Sequence, residues 1–157
     1  MLGRRLIRRQ RDGSFKVNLA ERERELLRTL ADQLSNLLGS DDPSLRRLSP
    51  PAYLDDAEAD AEFQRLMGED LETSRRAQLT LLAESAEATE LDEEQVLAWM
   101  GAVNGLRLVL GTRLDVSEEF DEDSLRRLDP DDPETAALAV YHYLGWLLEH
   151  LVRAVGE

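Results

Sequence analysis

The segment from Glu93 to about Thr112 constrains the fold more than any other part of this sequence. Asp92 and Gln95 have the spacing of a capping box, which predicts that a helix begins between them. The apolar residues of this helix lie on nearly every side: Val96, Leu97, Trp99, Met100, Val103, Leu106, Val109 and Leu110. A helix of this kind is covered by other elements all round, so we predict that it is the central helix of the domain.

An amphipathic helix is predicted from Asn18, a good N-cap, to Leu38, because Gly39 follows as a stop signal. Its leucines recur at the 3.6-residue period: Leu26, Leu27, Leu30, Leu34, Leu37 and Leu38. A connector over residues 40–52 follows, with a short helical turn predicted around Leu45 to Leu48.

Two more amphipathic helices are predicted. Asp55 or Asp56 caps one of them, which continues or breaks at Gly68, since one glycine costs only about 1 kcal/mol in a helix interior. The last helix has Pro133 at its first position. Its inward-facing residues are Val140, Tyr141, Leu144, Leu147, Leu148, Leu151 and Val155.

Residues 1–19 form a basic arm or hairpin ahead of these helices. Leu6–Arg8 and Phe15–Val17 have the composition of short strands, and Asp12-Gly13 between them is a strong turn signal. A chain of 157 residues fits one domain, 1–157. We therefore predict an all-α fold, a helical bundle of four to five main helices with a short N-terminal β-hairpin.

The charge is unevenly distributed. Residues 1–16 hold six of the 19 basic residues and one of the 33 acidic residues, so the rest holds 13 against 32, a net charge of -19. Such a body repels phosphate backbones and anionic lipid and attracts basic proteins. We expect a basic protein partner, and we expect duplex DNA to be bound weakly or not at all. The basic arm either docks on this acidic body or contacts nucleic acid.

Several kinds of chemistry are excluded or disfavoured by composition. Without cysteine, the chain cannot form disulfides, thiolate nucleophiles or zinc-cysteine sites. His142 and His150 are too far apart to chelate a metal as an i, i+4 pair. The acidic residues between Glu118 and Asp132 lack the ligand order of a calcium loop. We therefore predict no metal, no cofactor and no enzymatic activity. No apolar stretch is long enough for a membrane span, and we expect a cytoplasmic protein.

The best candidate site lies near the end of the central helix. Asn104 and Arg107 are three residues apart and share a face, which Gly111 extends by one turn. With Arg113 they would form a fork for a carboxylate or phosphate. The alternative is structural, in which an acid of the last helix, such as Glu149, holds Arg107 and sets the packing of the two helices.

The last helix carries more apolar and aromatic surface than one core-facing stripe needs. Tyr141, Tyr143 and Trp146 spread around it, so either at least one of these rings lies off the core and contacts a partner, or all three pack in the core. We count Tyr141 among the candidate binding residues, and we expect a homodimer to which this helix contributes.

The sequence resembles an uncharacterised-domain family of actinobacteria over about residues 4–153. The resemblance lies in Arg107–Leu114, Asp42-Pro43, Leu45–Leu48, Pro51–Tyr53, Asp56, Glu62-Phe63, Asp70-Leu71, Trp99, Asn104 and Tyr141–Gly145. It implies a small cytoplasmic helical protein with no established enzymatic activity. Some relatives are linked to oxidative-stress control of transcription through a cysteine pair and contact with a sigma factor. No position here can carry that thiol switch, because this chain has no cysteine.

These observations together favour a non-enzymatic protein-interaction module with a regulatory role related to transcription or stress. A transcription factor such as a sigma factor is the partner that the resemblance suggests. The alternative is a small-anion or metabolite sensor whose pocket is lined by Asn104, Arg107 and Arg113. Arginines bound to carboxylates would favour the first hypothesis, and a pocket that holds both arginines without carboxylate partners would favour the second.

Overall fold

The computed structural model describes residues 4–48, 55–114 and 133–157, with the backbone alone over residues 63–69. Its long helices are α1 (Glu21–Leu37), α2 (Ala57–Ser85), α3 (Glu93–Leu114) and α4 (Pro133–Val155), with a short 3-10 helix, Pro43–Leu48, between α1 and α2. The strands are β1 (Ile7–Arg9), β2 (Phe15–Val17) and β3 (Glu90–Leu91). The predicted helical bundle with an N-terminal hairpin is confirmed. The acidic residues between Glu118 and Asp132 lie outside the described residues, as do residues 49–52 of the connector.

The central position predicted for α3 is confirmed. This helix packs against α2, α4 and the 3-10 helix, while α1 packs mainly on α2. Val96, Trp99 and Val103 are fully buried. The indole Nε1 of Trp99 donates a hydrogen bond of 2.7 Å to Ser85 Oγ, which satisfies its polar atom in the core. Of the 22 residues of α3, ten are buried and four are exposed: Glu93, Glu94, Leu97 and Arg113.

Two of the three predicted helix N-caps are confirmed. Asp92 and Gln95 form the predicted capping box, in which the Asp92 N–H donates to Gln95 Oε1 at 2.9 Å and the Gln95 N–H to Asp92 Oδ1 at 2.8 Å. Asp56 caps α2 by accepting from the Ala59 N–H at 3.0 Å, and α2 continues through Gly68. The prediction that Asn18 caps α1 is wrong. The helix begins at Glu21, and the Asn18 N–H donates to the Leu6 carbonyl at 2.8 Å.

The predicted N-terminal hairpin is part of a three-stranded sheet, because a third strand pairs with it. The sheet has the order β1-β2-β3, is antiparallel, and pairs Ile7 with Val17 and Phe15 with Leu91. Gly13 has φ 88° in the turn, a conformation that glycine adopts without steric cost. The strand β3 was not predicted because two residues carry too little pattern, and its pairing partner lies some 75 positions earlier, as Phe15 and Leu91 show.

The basic arm docks on the body of the protein. Arg4 forms an ion pair of 2.6 Å with Glu23, and Arg5 forms one with Glu157. Arg9 donates to the carbonyls of Val155 and Glu157 at 3.2 and 3.0 Å. Of the two arrangements predicted for the arm, the structure shows the docked one.

Among the described residues, no helix is both long and apolar enough to cross a membrane.

Candidate functional site

Arg107 and Asn104 lie together on α3, as their spacing predicted. Arg107 Nη2 donates to Asn104 Oδ1 at 3.3 Å, and Arg107 Nε is buried without a hydrogen-bond partner. Within the described part of the chain, no ion pair joins Arg107 to Glu149. The expected structural ion pair with an acid of the last helix is therefore not formed. Arg107 is a half-buried cation, and its hydrogen bond within the described residues goes to a neutral amide.

Two glycines let α3 and α4 approach each other, each beneath a long side chain of the other helix. Arg107 Cδ lies 3.7 Å from the position that a β-carbon on Gly145 would occupy. Tyr141 Cε2 lies 2.9 Å from the corresponding position on Gly111. These residues belong to two of the segments in which the family resemblance lies. Tertiary packing thus brings together Arg107 and Gly111 of α3 with Tyr141 and Gly145 of α4.

A groove of about 560 Å³ runs beside Arg107 along α4, and we call it the α4 groove. Its lining includes Arg107, Tyr141, His142, Tyr143, Trp146 and Glu149. The three rings expected to spread around the last helix are all half-buried, and none of them is sealed in the core. Edge-on contacts order them, since Tyr143 lies 6.3 Å from Trp146 between ring centroids and Tyr141 lies 5.7 Å from His142.

The hydroxyl of Tyr143 is available for a polar contact. Its hydroxyl is buried and has no hydrogen-bond partner among the described residues. Burial, with a smaller contribution from the nearby Glu23 carboxylate, raises the pKa of the Tyr143 phenol well above its ordinary value. The phenol therefore stays protonated at physiological pH and is a donor.

Arg113 lies apart from Arg107. Arg113 Nη2 is 3.5 Å from Asp42 Oδ2, and its Nε donates to Ser44 Oγ at 3.2 Å. It lines a second groove of about 320 Å³, whose other residues are mainly leucines of α1, α3 and α4. Six residues of helix turn Arg113 well away from the direction of Arg107, since each residue rotates by about 100°. The structure therefore does not bring the two arginines into one fork.

An acidic surface that was not predicted from the sequence lies where α2 ends and α3 begins. We call it the acidic corner, and its side chains are all exposed: Glu84, Glu87, Glu90, Asp92, Glu93 and Glu94. Arg28 pairs with one of them, Glu87, at 2.9 Å. The density of acids in residues 84–94 was visible in the sequence, but only the turn between the helices shows that they share one surface.

The asymmetry of charge noted in the sequence persists in the fold. Three arginines of the arm are bound to the chain's own carboxylates and carbonyls, whereas the acids of the corner are exposed.

In the part of the chain that the structure describes, no group of three or more His, Asp or Glu side chains is placed to hold a metal ion.

Comparison with known proteins agrees with the resemblance seen in the sequence. The chain is 30% identical to the "Oxidative stress regulator AosR" of Mycobacterium tuberculosis (strain ATCC 25618 / H37Rv) over an alignment 184 positions long, which covers 90% of this chain and 83% of that protein. It is 34% identical to the "Putative oxidative stress regulator AosR" of Mycobacterium leprae (strain TN) over 132 residues. That alignment covers 73% of this chain and 59% of the Mycobacterium leprae protein, so the chain spans less than two thirds of that relative.

No solved structure matches the chain. The family described as "Domain of unknown function (DUF2017)" matches residues 4–155, which is nearly the whole sequence. The chain therefore belongs to the DUF2017 family.

Proposed function

We propose that this protein is a regulator that acts by binding a basic protein partner and catalyses no reaction. The names of its mycobacterial relatives support a regulatory role. A thiol switch is not available to this chain, because it has no cysteine. Regulation by this protein would thus depend on the binding of its partner and on when that partner is present in the cell.

The acidic corner is the observation that carries this proposal. Its six exposed carboxylates lie on ordered elements, and one of them is offset by an ion pair within the chain. A surface of this kind attracts basic partners, accelerates their association and repels nucleic acid and other acidic surfaces. The resemblance to relatives that contact a sigma factor makes a transcription protein of the native host the first partner to test.

Affinity capture from the native host, with mass spectrometry of the retained proteins, tests this proposal when charge variants are compared. Glu84→Lys with Glu94→Lys should lose a basic partner that the unchanged protein retains at low salt. The matched control is Glu58→Lys with Asp70→Lys, which makes the same change of charge on exposed positions of α2. Glu58 lies 26 residues, or about 39 Å of helix, from Glu84.

Purified sigma factors of the same host are the direct probes for a binding titration. The expected result is an affinity that falls with ionic strength and falls further with the corner variant than with the control. Equal binding by the two variants, or a partner that is itself acidic, would contradict the proposal.

A small-anion sensor is the second candidate, and Arg107 favours it. This arginine borders the α4 groove and has no carboxylate partner within the described chain, so its guanidinium has donors to spare. Because Arg113 is paired with Asp42, the pocket would use Asn104, Arg107 and Tyr141. Thermal shift with phosphate, citrate or acetate tests this function. An increase in Tm that is lost in Arg107→Met would support it, and no increase at millimolar anion would exclude it.

A further inference from the structure

We propose that the α4 groove is the interface of a homodimer, in which Arg107 of one protomer forms an ion pair with Glu149 of its partner and the reverse pair forms across a two-fold axis. The occupant of the groove is thus a second copy of this chain. This assembly does not depend on the binding of a basic partner, which would use the acidic corner.

The groove carries one positive and one negative side chain, so the grooves of two copies are complementary to each other in charge. Arg107 and Glu149 line the same groove, yet neither forms an ion pair within the described part of the chain. In a two-fold interface, residue i contacts residue j of the partner while j contacts i, so one unpaired cation and one unpaired anion per chain produce two pairs. Arg107 is held in place by Gly145 beneath its Cδ and by Asn104, which lowers the cost of ordering it in an interface.

Apolar side chains continue this surface beyond the groove. Leu97 and Val152 are 48% and 52% exposed, and they are the large hydrophobic residues that the described structure leaves most open. Val152 lies three residues after Glu149, which lines the groove, and the two share a helix face. Leu97 lies two turns before Asn104, the residue that accepts a hydrogen bond from Arg107, and shares its face. Exposed aliphatic side chains around half-buried Trp and Tyr rings are typical of a protein interface.

The surface of α4 also lacks the charge that would prevent self-association. The whole chain carries a net charge of -14, so two copies repel each other unless they meet where acids are sparse. Of the 23 residues of α4, the charged ones are Glu134, Glu149 and Arg153, against 33% charged residues in the chain. Exposed positions such as Ala136, Ala139 and Val152 are small or apolar. A stable dimer needs about 800 Å² per chain, which is a small part of the 10029 Å² of accessible surface.

Sedimentation velocity at tens of micromolar, with charge-reversed variants, tests the interface. The unchanged protein should sediment as twice the 17.8 kDa chain. Arg107→Glu alone and Glu149→Arg alone should each place two like-charged pairs across the axis and weaken the dimer by more than about 100-fold. An equimolar mixture of the two single variants should dimerise again, because each contact in the mixed dimer joins Glu to Arg.

The mixing experiment separates a contact between protomers from one within a protomer, since only the former is restored by mixing. Glu94→Arg is the matched control, because it makes the same charge change at an exposed position of the acidic corner and should leave the dimer intact. If Arg107→Glu does not fold, Glu149→Arg and Ala139→Arg decide the question, since both positions are exposed. A monomeric unchanged protein, or a dimer that resists Glu149→Arg and Ala139→Arg, would overturn the proposal. Failure here would leave the acidic-corner variants as a separate test of partner binding.

Discussion

Tyr141 Cε2 lies 2.9 Å from the position that a β-carbon on Gly111 would occupy, which is closer than β-carbons approach other atoms in proteins. The glycine of α3 and the aromatic ring of α4 therefore fit each other, and this contact sets how closely the two helices pack at the end of the α4 groove. Gly145 differs, since Arg107 Cδ lies at an ordinary contact distance of 3.7 Å from its β-carbon position.

Alanine at these two glycines should have opposite effects. Gly145→Ala should raise Tm by a few degrees, because alanine is favoured over glycine in a helix by about 1 kcal/mol and the space is available. Gly111→Ala should lower Tm, because displacing the Tyr141 ring costs about 1–3 kcal/mol. Differential scanning calorimetry checks both. If the loss at Gly111 comes from the ring, Tyr141→Leu should reduce it, and additive losses would argue against this contact.

Arg24 is a buried cation that backbone carbonyls hold. It is 7% exposed and donates to the carbonyls of Val17, Leu19, Ala86 and Ala88 at 2.6–3.3 Å. It thereby joins the hairpin, α1 and the turn after α2. Arg24→Met should destabilise the fold by about 3 kcal/mol or more, because it leaves several buried carbonyls without donors. Denaturant unfolding measures the loss.

The control for that measurement is Arg28→Met on the same helix. Its ion pair with Glu87 has side chains that are 40% and 49% exposed, so its loss should change stability by no more than about 1 kcal/mol. Equal effects of the two substitutions would mean that the carbonyl contacts of Arg24 contribute little.

His150 should make stability depend on pH. Its Nδ1 accepts the Leu6 N–H at 3.2 Å, which an Nδ1 without a proton can do, and the residue is 8% exposed. Burial, with the positive charges of Arg153 and Arg5, lowers the pKa of His150 below its ordinary value. Because the folded state then binds a proton less readily than the unfolded state, this contribution is complete above about pH 6.5 and is lost as pH falls through the folded pKa.

His150→Asn tests this dependence, since its side-chain oxygen can accept the same hydrogen bond and does not titrate. Urea unfolding from pH 7.5 to 5 should show a steeper loss of stability in the unchanged protein than in the variant. Parallel pH profiles would show that His150 does not contribute. The strand β1 should be the first element to exchange its amide hydrogens at low pH, because Leu6 immediately precedes it.

Peroxide should leave the oligomeric state and partner binding unchanged over short exposures. The chain has no cysteine, so no reductant-reversible disulfide or sulfenic acid can form. Slow oxidation is expected only at methionines, of which Met100 is partly buried against the core. Sedimentation and binding assays before and after peroxide, with and without dithiothreitol, measure this. A change that dithiothreitol reverses would be incompatible with the prediction.

Duplex DNA should be bound weakly or not at all near physiological salt. Arg4, Arg5 and Arg9 are engaged with the protein itself, so the hairpin has few free cations for phosphates. A gel-shift titration checks this, with Arg8→Glu and Arg11→Glu, both exposed, as the variant. Submicromolar binding that this variant abolishes would contradict the proposed preference for a basic protein.

The sequence by itself determined those features whose causes lie within a few residues. The capping box at Asp92 and Gln95, the cap at Asp56, the Asp12-Gly13 turn and the first-turn Pro133 all depend on neighbours in the chain, and the structure shows each of them. The central position of α3 was also predictable, because apolar residues on every side of a helix leave no alternative that buries them.

Tertiary structure alone decided the rest. The pairing of β3 with β2, the hydrogen bonds of Arg24 to carbonyls as many as 64 residues away, and the ion pair of Arg113 with Asp42 all depend on contacts between distant segments. Local sequence predicted that Asn104 and Arg107 share a face, but not that Arg107 would lie over Gly145 rather than pair with Glu149. Periodicity determines which face of a helix turns inward, whereas the angle and register at which two helices meet depend on how their side chains interlock across the interface.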